Sequence, residues 1–197
     1  MVTGVQTCAL PISTQINAFA TSGGHILVTR GLLECATSED ALAAVLAHEI
    51  AHVQLEHGIS SIKSSRWTNA ATTLAGATLT ALSDGEIDDV MESFGETVNS
   101  MVSTMVETGY SKSQEYDADE VALEILNEAG YNPYAMISML EVLEEKQPNS
   151  SGGFASTHPS AKSRLKKVKK ALRDYDEVKI PEIRIERFNA KMNIVTE

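Results

Sequence analysis

The chain has 197 residues, of which 43% are hydrophobic and 22% charged, so it can bury the core of one globular domain. Its formal charge of −11 argues against a nucleic-acid partner, because phosphate binding needs a basic face. No uninterrupted apolar run reaches the length of about 18 residues that a membrane-spanning helix needs.

The chain begins with a segment that we do not interpret as native. Residues 1–12 resemble a translated sequencing adapter and are set aside. We predict a domain over 13–175, shortened at its N-terminus, and a C-terminal tail over 176–197. The two cysteines, Cys8 and Cys35, define neither a disulfide framework nor a cysteine-rich zinc site. Metal chemistry must therefore come from histidines and carboxylates.

The first native elements are predicted to be a hairpin and a helix. Ile26–Thr29 is a β-branched run after two glycines, and Asn17–Ala20 is a candidate for its neighbouring strand. Thr37 and the residues after it supply helix caps and early acidic side chains. We predict a helix from there to about His57, closed by Gly58.

The remainder of the chain reads as mostly helical. Further helices are predicted over 60–82, 87–105 and 111–129, from Asn132 onwards, and over 162–173. A loop is predicted over 147–156 because Pro, Asn, Ser and Gly cluster there. The alternation of isoleucines around Pro181 makes 178–188 a possible edge strand. Residues 162–173 hold seven basic residues and no acidic one, which favours a solvated face over contact with an anionic membrane.

A metal-binding pattern lies on the first long helix. His48 and His52 are four residues apart, so both imidazoles face the same side and can bind one ion. Glu49 follows the first histidine, and its carboxylate is therefore expected beside the metal, where a general base acts on water. These three residues predict a metallohydrolase centre.

A catalytic zinc site needs a third protein ligand. His57 is the next histidine, on the same helix but rotated away from His52. Glu115 and Asp119 stand four apart on one face of a later helix. Glu115 can be the third ligand, and Asp119 can accept the free N–H of a ligand imidazole. Taken alone, the two carboxylates could also be a solvated acidic helix start.

The combined pattern resembles the HtpX-like and CAAX-prenyl-protease-like family of gluzincin metallopeptidases. The resemblance rests on the HExxH turn, on Glu115 and Asp119, on Asn17–Ala20, on Val28–Leu33 and on Ser156–Pro159. It implies an α+β, predominantly helical, zincin-like domain with a small β-sheet beside the HExxH helix. It also implies a periplasmic or envelope-associated bacterial protein, which the chain itself does not signal.

The resemblance further implies roles for individual residues. One Zn²⁺ per chain would be held by His48, His52 and Glu115, with Glu49 as base and Asp119 orienting a ligand. His158 would lie near the metal and either donate to the oxyanion or cap the open zinc position. Alternatively, His158 has no role at the metal and is simply a loop histidine before a proline.

Three further expectations complete this interpretation. Arg164 is expected to pair with a buried carboxylate such as Asp119 rather than with substrate. The strand containing Gly24, His25, Ile26 and Leu27 is expected to offer an open edge to an extended polypeptide substrate. His25 is kept out of the metal site.

Two hypotheses for function follow. The first is an active zinc metalloendopeptidase in envelope protein quality control. The second is a chaperone-like binding module whose zinc site is plugged by His158. A non-peptidase zinc hydrolase is a weaker third, because an exposed strand suits a peptide.

Overall fold

The computed structural model describes residues 6–10, 14–21, 24–61, 63, 109–147, 153–158 and 161–196. The strands are β1 (Gln6–Leu10), β2 (Ala18–Ala20) and β3 (His25–Thr29). The helices are α1 (Arg30–Cys35), α2 (Glu39–Gln54), α3 (Lys112–Glu128), α4 (Ala135–Lys146), α5 (Phe154–Thr157), α6 (Ala161–Ala171) and α7 (Glu182–Thr196). This confirms the predominantly helical α+β fold. The helix predicted over 87–105, and nearly all of that over 60–82, lie outside the described residues.

The small sheet has the strand order β1–β3–β2. β2 and β3 pair in antiparallel fashion, with Phe19 opposite Leu27, which confirms the predicted hairpin. β1 pairs with β3 in parallel, with Gln6 opposite His25. The segment set aside as non-native therefore takes part in the fold. Pairing through main-chain groups explains how it can do so, since it requires no particular side chains.

The expected open edge on β3 is wrong. β3 is the central strand, so neither of its edges is free: residues from His25 to Thr29 pair with β1, and Ile26, Leu27 and Val28 pair with β2. Gly24, just before the strand, is buried, and its N–H donates to the Thr21 carbonyl at 2.9 Å. A peptide therefore cannot add to β3 as a neighbouring strand.

Helix α2 runs through the centre of the core. Ser38 caps it, as its Oγ accepts a hydrogen bond from the Ala41 N–H at 3.0 Å. Ala41 and Val45 pack in a cluster with buried residues of β2, β3, α1, α4 and α5. Ala44 and Ala47, on the neighbouring stripe, pack in a second cluster with α3, α4 and α6. The helix thus holds the sheet and the other helices together.

The end of α2 differs from the prediction. The helix ends at Gln54 rather than near His57. Glu56 has a φ of 53°, in the left-handed region, and this conformation breaks the helix before a further helical stretch over 57–61. Gly58, the expected stop signal, lies within that stretch.

The C-terminal tail is helical, so the possible edge strand is wrong for residues 182–188. Pro181 accepts a hydrogen bond from the Arg184 N–H at 2.9 Å, as at the start of a helix, and α7 follows directly. Ile183 and Ile185 are exposed, so the alternating isoleucines do not mark a buried face. Among the described residues, no helix is both long and apolar enough to cross a membrane.

Candidate metal centre

His48 and His52 lie near the C-terminal end of α2. They continue the buried stripe begun by Ala41 and Val45, and each is only 1% exposed. Their Nε2 atoms are 3.0 Å apart. One helical turn therefore directs two imidazole nitrogens at the same small volume.

Glu115 reaches this volume from the first turn of α3. Ser111 and Gln114 form a reciprocal capping box that fixes the start of the helix. The Glu115 side chain is fully buried, with Oε2 3.4 Å from His48 Nε2 and Oε1 3.4 Å from His52 Nε2. The carboxylate is thus within ligand distance of both rings.

His158 closes the volume from the fourth side. It directly follows α5, and its ring stacks on Phe154 with centroids 4.2 Å apart. Its Nδ1 lies 3.0 Å from Glu115 Oε1 and 3.3 Å from His48 Nε2. His158 therefore lies at the site, as the family resemblance implied.

These four residues fit a divalent metal ion. One ligand atom from each of His48, His52, Glu115 and His158 lies within 4.8 Å of all the others. Tetrahedral ligands at about 2.05 Å from zinc are about 3.3 Å from one another. Several pairs of donor atoms in this group lie 3.0–3.4 Å apart, with both oxygens of Glu115 taking part. Nitrogen and carboxylate donors suit zinc.

Glu49 lies beside this group without belonging to it. It is fully buried, and neither carboxylate oxygen has a hydrogen-bond partner in the described part of the chain. His158 Nε2 is 3.3 Å from Glu49 Oε1 but is not aligned as a hydrogen bond. An unpaired buried carboxylate is costly, and such groups occur where chemistry requires them.

A charged network supports His48. Its Nδ1 lies 3.0 Å from Asp119 Oδ1. Arg164 donates two hydrogen bonds to the same carboxylate, from Nε at 2.8 Å and from Nη2 at 2.6 Å. Its Nη1 is 2.9 Å from Glu115 Oε2. Arg164 is only 2% exposed, unlike the other basic residues of 162–173. It touches carboxylates rather than solvent.

The electrostatics of this network favour ionised carboxylates. Burial opposes the charge on Asp119, but the guanidinium of Arg164 and its hydrogen bonds lower the pKa of Asp119 to about 2. Burial and Arg164 oppose the charge on His48, but hydrogen bonds to Asp119 and Glu115 raise its pKa to about 9. A metal ion binding at His48 Nε2 must therefore displace a proton.

The His52 side is built from neutral groups. His57 Nδ1 lies 2.9 Å from His52 Nδ1. The Tyr110 ring stacks on the His52 ring, with centroids 3.8 Å apart and planes at 17°. Burial lowers the pKa of His52 to about 2 and lowers that of His57. Burial, followed by the charge of Glu49, raises the pKa of the Tyr110 hydroxyl.

The structure thus brings together most of the predicted site. The residues that meet are His48, Glu49, His52, Glu115, Asp119, His158 and Arg164. His25, which we kept out of the metal site, is exposed on β3. Two neighbours were missed: His57, which we expected to point away, and Tyr110. Tyr110 carried no signal in the sequence, whereas His57 required knowledge of where α2 ends.

Three curated relatives indicate what the chain is similar to. It is 33% identical over 158 residues to the mitochondrial metalloendopeptidase OMA1 of Schizosaccharomyces pombe, covering 79% of this chain and 43% of that protein. It is 30% identical over 158 residues to the beta-barrel assembly-enhancing protease of Escherichia coli, covering 77% of this chain and 31% of that protein. It is 26% identical over 161 residues to the Escherichia coli metalloprotease LoiP, covering 80% of this chain and 59% of that protein. The chain thus spans less than two thirds of each relative.

A family comparison covers most of the chain. The pattern of peptidase family M48 matches residues 6–172, a span that includes every member of the metal-binding group. This agrees with the resemblance to HtpX-like metallopeptidases that rested on the HExxH turn and its distant carboxylates. The chain belongs to peptidase family M48, a family of metal-dependent peptidases.

Proposed function

We propose that this chain is the catalytic domain of a zinc-dependent endopeptidase. The observation that carries the proposal is the buried, unpartnered carboxylate of Glu49 beside the converging ligand atoms of His48, His52 and Glu115. A purely structural zinc site has no need of such a carboxylate. Two histidines, one glutamate and an open position are a known catalytic arrangement for zinc.

The residues divide the chemistry between them. When bound, the zinc ion would activate a water molecule and polarise the carbonyl of the scissile peptide bond. Glu49 takes the proton of the attacking water and later gives it to the leaving amine. His48, His52 and Glu115 hold the ion, while Asp119 orients His48 by accepting its Nδ1–H.

The substrate is proposed to approach along β2 rather than β3. Among the described residues, β2 has only β3 as a paired neighbour. The Asn17 carbonyl accepts from the Thr29 N–H and the Thr21 N–H donates to the His25 carbonyl, so the main-chain groups of Ala20 point to the other edge. Ala20 lines a shallow cleft with His52 and Tyr110. An extended peptide would bind there next to the metal.

His158 favours a second candidate function. His158 belongs to the ligand group, and four protein ligands are typical of a closed structural zinc site. A chaperone-like binding module with a plugged site would use His158 in this way. In the endopeptidase, His158 instead moves away from the ion or donates a hydrogen bond to the oxyanion.

Casein proteolysis combined with zinc quantification separates these functions. We expect one zinc per chain, and we expect cleavage by the wild type or by His158→Ala. Glu49→Gln should bind zinc and cleave at least about 100-fold more slowly. Absence of zinc from the wild type would remove the metal assignment. Zinc without cleavage, even in His158→Ala, would favour the binding module.

The cellular setting is proposed from the relatives alone. Similarity to a beta-barrel assembly-enhancing protease supports a role in quality control of envelope proteins. Membrane contact by the basic helix is less well supported, because Lys169 pairs with Glu141 at 3.0 Å and Lys167 lies over the Tyr116 ring. Sedimentation with anionic vesicles, compared with neutral ones, would test that contact.

A further inference from the structure

We propose that His57 is a positioning residue that fixes the ring orientation and proton position of His52, the ligand on the cleft side of the site. The inference rests on the proposed zinc function. It adds a residue that the ligand set does not contain. His57 would act through His52 and would touch neither the ion nor the substrate.

The contact between the two rings determines where the protons lie. His57 Nδ1 and His52 Nδ1 are 2.9 Å apart, and both residues are buried. One hydrogen lies between two neutral imidazole nitrogens in a hydrogen bond. Because His52 must bind metal through an unprotonated Nε2, that hydrogen belongs to His52 Nδ1. His57 Nδ1 then accepts, and His57 carries its own hydrogen on Nε2.

The local backbone is arranged to make this contact. On an uninterrupted helix, residues five apart are about 140° apart around the axis and cannot face each other. The break after Gln54, with Glu56 at a φ of 53°, brings His57 back toward His52. A non-glycine residue in this region is under strain, and such strain persists only where the surrounding structure holds it.

His57 is also tied to the helix that supplies the third ligand. Its carbonyl oxygen accepts from Ser60 Oγ at 2.9 Å and from Gln114 Nε2 at 3.4 Å. Gln114 belongs to the capping box of α3 and precedes Glu115 directly. The positions of His57 and Glu115 are therefore coupled through one side chain.

His57 is not itself a ligand. Its Nδ1 is engaged by His52, and the ligand group contains His48, His52, Glu115 and His158 but not His57. Partners of this type normally fix the tautomer of a ligand histidine, and their loss weakens metal binding. This gives the proposal a readout other than proteolysis.

The test compares three variants in a zinc competition titration against a chromophoric chelator. His57→Leu removes the acceptor, whereas His57→Asn places an amide oxygen near the position of Nδ1. His25→Leu removes an exposed histidine as the matched control. We expect zinc affinity to fall about 10- to 100-fold in His57→Leu. His57→Asn should stay within a few-fold of the wild type, and His25→Leu should match it.

A second measurement does not depend on variants that fold. In zinc-loaded wild-type protein with ¹⁵N-labelled histidines, NMR should find His52 protonated on Nδ1 and His57 neutral and protonated on Nε2. A hydrogen on His57 Nδ1, or equal zinc affinity in His57→Leu and the wild type, would overturn the proposal. Failure of the wild type to bind zinc would instead overturn the proposed function, so the two failures remain distinct.

Discussion

His48 and His52 are one helical turn apart, yet they are supported in opposite ways. His48 is backed by Asp119 and Arg164, a charged and fully buried network contributed by α3 and α6. His52 is backed by the neutral ring of His57, close to it in sequence, and by the ring of Tyr110. The first support lies within the helical core and the second borders the cleft.

The difference separates two requirements of a metal site. An anionic partner makes its imidazole a stronger donor and so strengthens metal binding. A neutral partner also orients the imidazole but makes it a weaker donor than an anionic partner does. A zinc ion held by such an imidazole would remain a stronger Lewis acid toward water and a carbonyl oxygen. Buried charges are also stabilising only while each has its partner. We therefore expect changes on the His48 side to affect stability and affinity more than changes on the His52 side.

The largest effect is expected from Arg164→Leu. This change removes the guanidinium that pairs with both Glu115 and Asp119 and leaves two buried carboxylates beside His48 alone. Removing one partner of a buried ion pair costs about 3–5 kcal/mol. The free energy of unfolding of the metal-free protein should fall by that amount in urea denaturation followed by circular dichroism.

The control for this change lies on the same helix. Lys169 pairs with Glu141, and both side chains are about half exposed. Lys169→Leu should change the unfolding free energy by less than about 1 kcal/mol. Arg164→Lys keeps the charge but loses the bidentate contact with Asp119. Its loss of unfolding free energy should therefore lie between those of Lys169→Leu and Arg164→Leu. Equal stability of Arg164→Leu and Lys169→Leu would mean that the buried network contributes nothing.

The second prediction concerns metal affinity. Asp119→Asn keeps the shape of the side chain but removes the anion that accepts from His48 and pairs with Arg164. Zinc affinity should fall toward the upper end of a 10- to 100-fold range, measured by chelator competition. The loss should exceed that in His57→Leu. If the order is reversed, the neutral His57 contributes more to zinc affinity than the charged network behind His48.

The sequence predicted the parts of this site that depend on local spacing. The pairing of His48 with His52 could be predicted because a spacing of four residues on a helix fixes the relative position of the two side chains. The common face of Glu115 and Asp119 could be predicted for the same reason. Their proximity to α2 was inferred instead from the need for a third ligand and from the family resemblance. The capping residue Ser38 likewise lies within the predicted cap positions.

The features that depend on distant or unusual backbone could not be predicted. The prediction of an open edge on β3 was wrong because the order of strands depends on long-range pairing. No local pattern in the sequence shows that β3 lies between β1 and β2. His57 was missed because the residue in the left-handed conformation is Glu56, whereas Gly58 carried the expected helix-stop signal. The tail was misread because Ile183 and Ile185, two of the isoleucines in 178–188, are exposed rather than packed.

The third prediction tests the aromatic support of His52. The ring of Tyr110 stacks on the His52 ring. Tyr110→Leu removes this stacking and should lower the unfolding free energy by about 1 kcal/mol, measured in urea. Tyr110→Phe keeps the aromatic ring and should lower the unfolding free energy less than Tyr110→Leu does. If Tyr110→Phe loses as much as Tyr110→Leu, the hydroxyl rather than the ring is the stabilising group.

The smallest effect is expected at the turn that positions His57. Glu56 is exposed and has a φ of 53°, a conformation that glycine adopts without a Cβ penalty. Relief of the left-handed strain is offset in part by the greater freedom of glycine in the unfolded chain, so Glu56→Gly should raise the unfolding free energy by at most about 1 kcal/mol while leaving zinc affinity unchanged. Gly130→Ala, at a φ of 75° where a Cβ would lie 3.9 Å from Arg184 Nη2 without a clash, is the matched reverse change and should be destabilising. If Glu56→Gly weakens zinc binding, the strained turn is needed to hold His57 against His52, and the support of this ligand begins in the backbone.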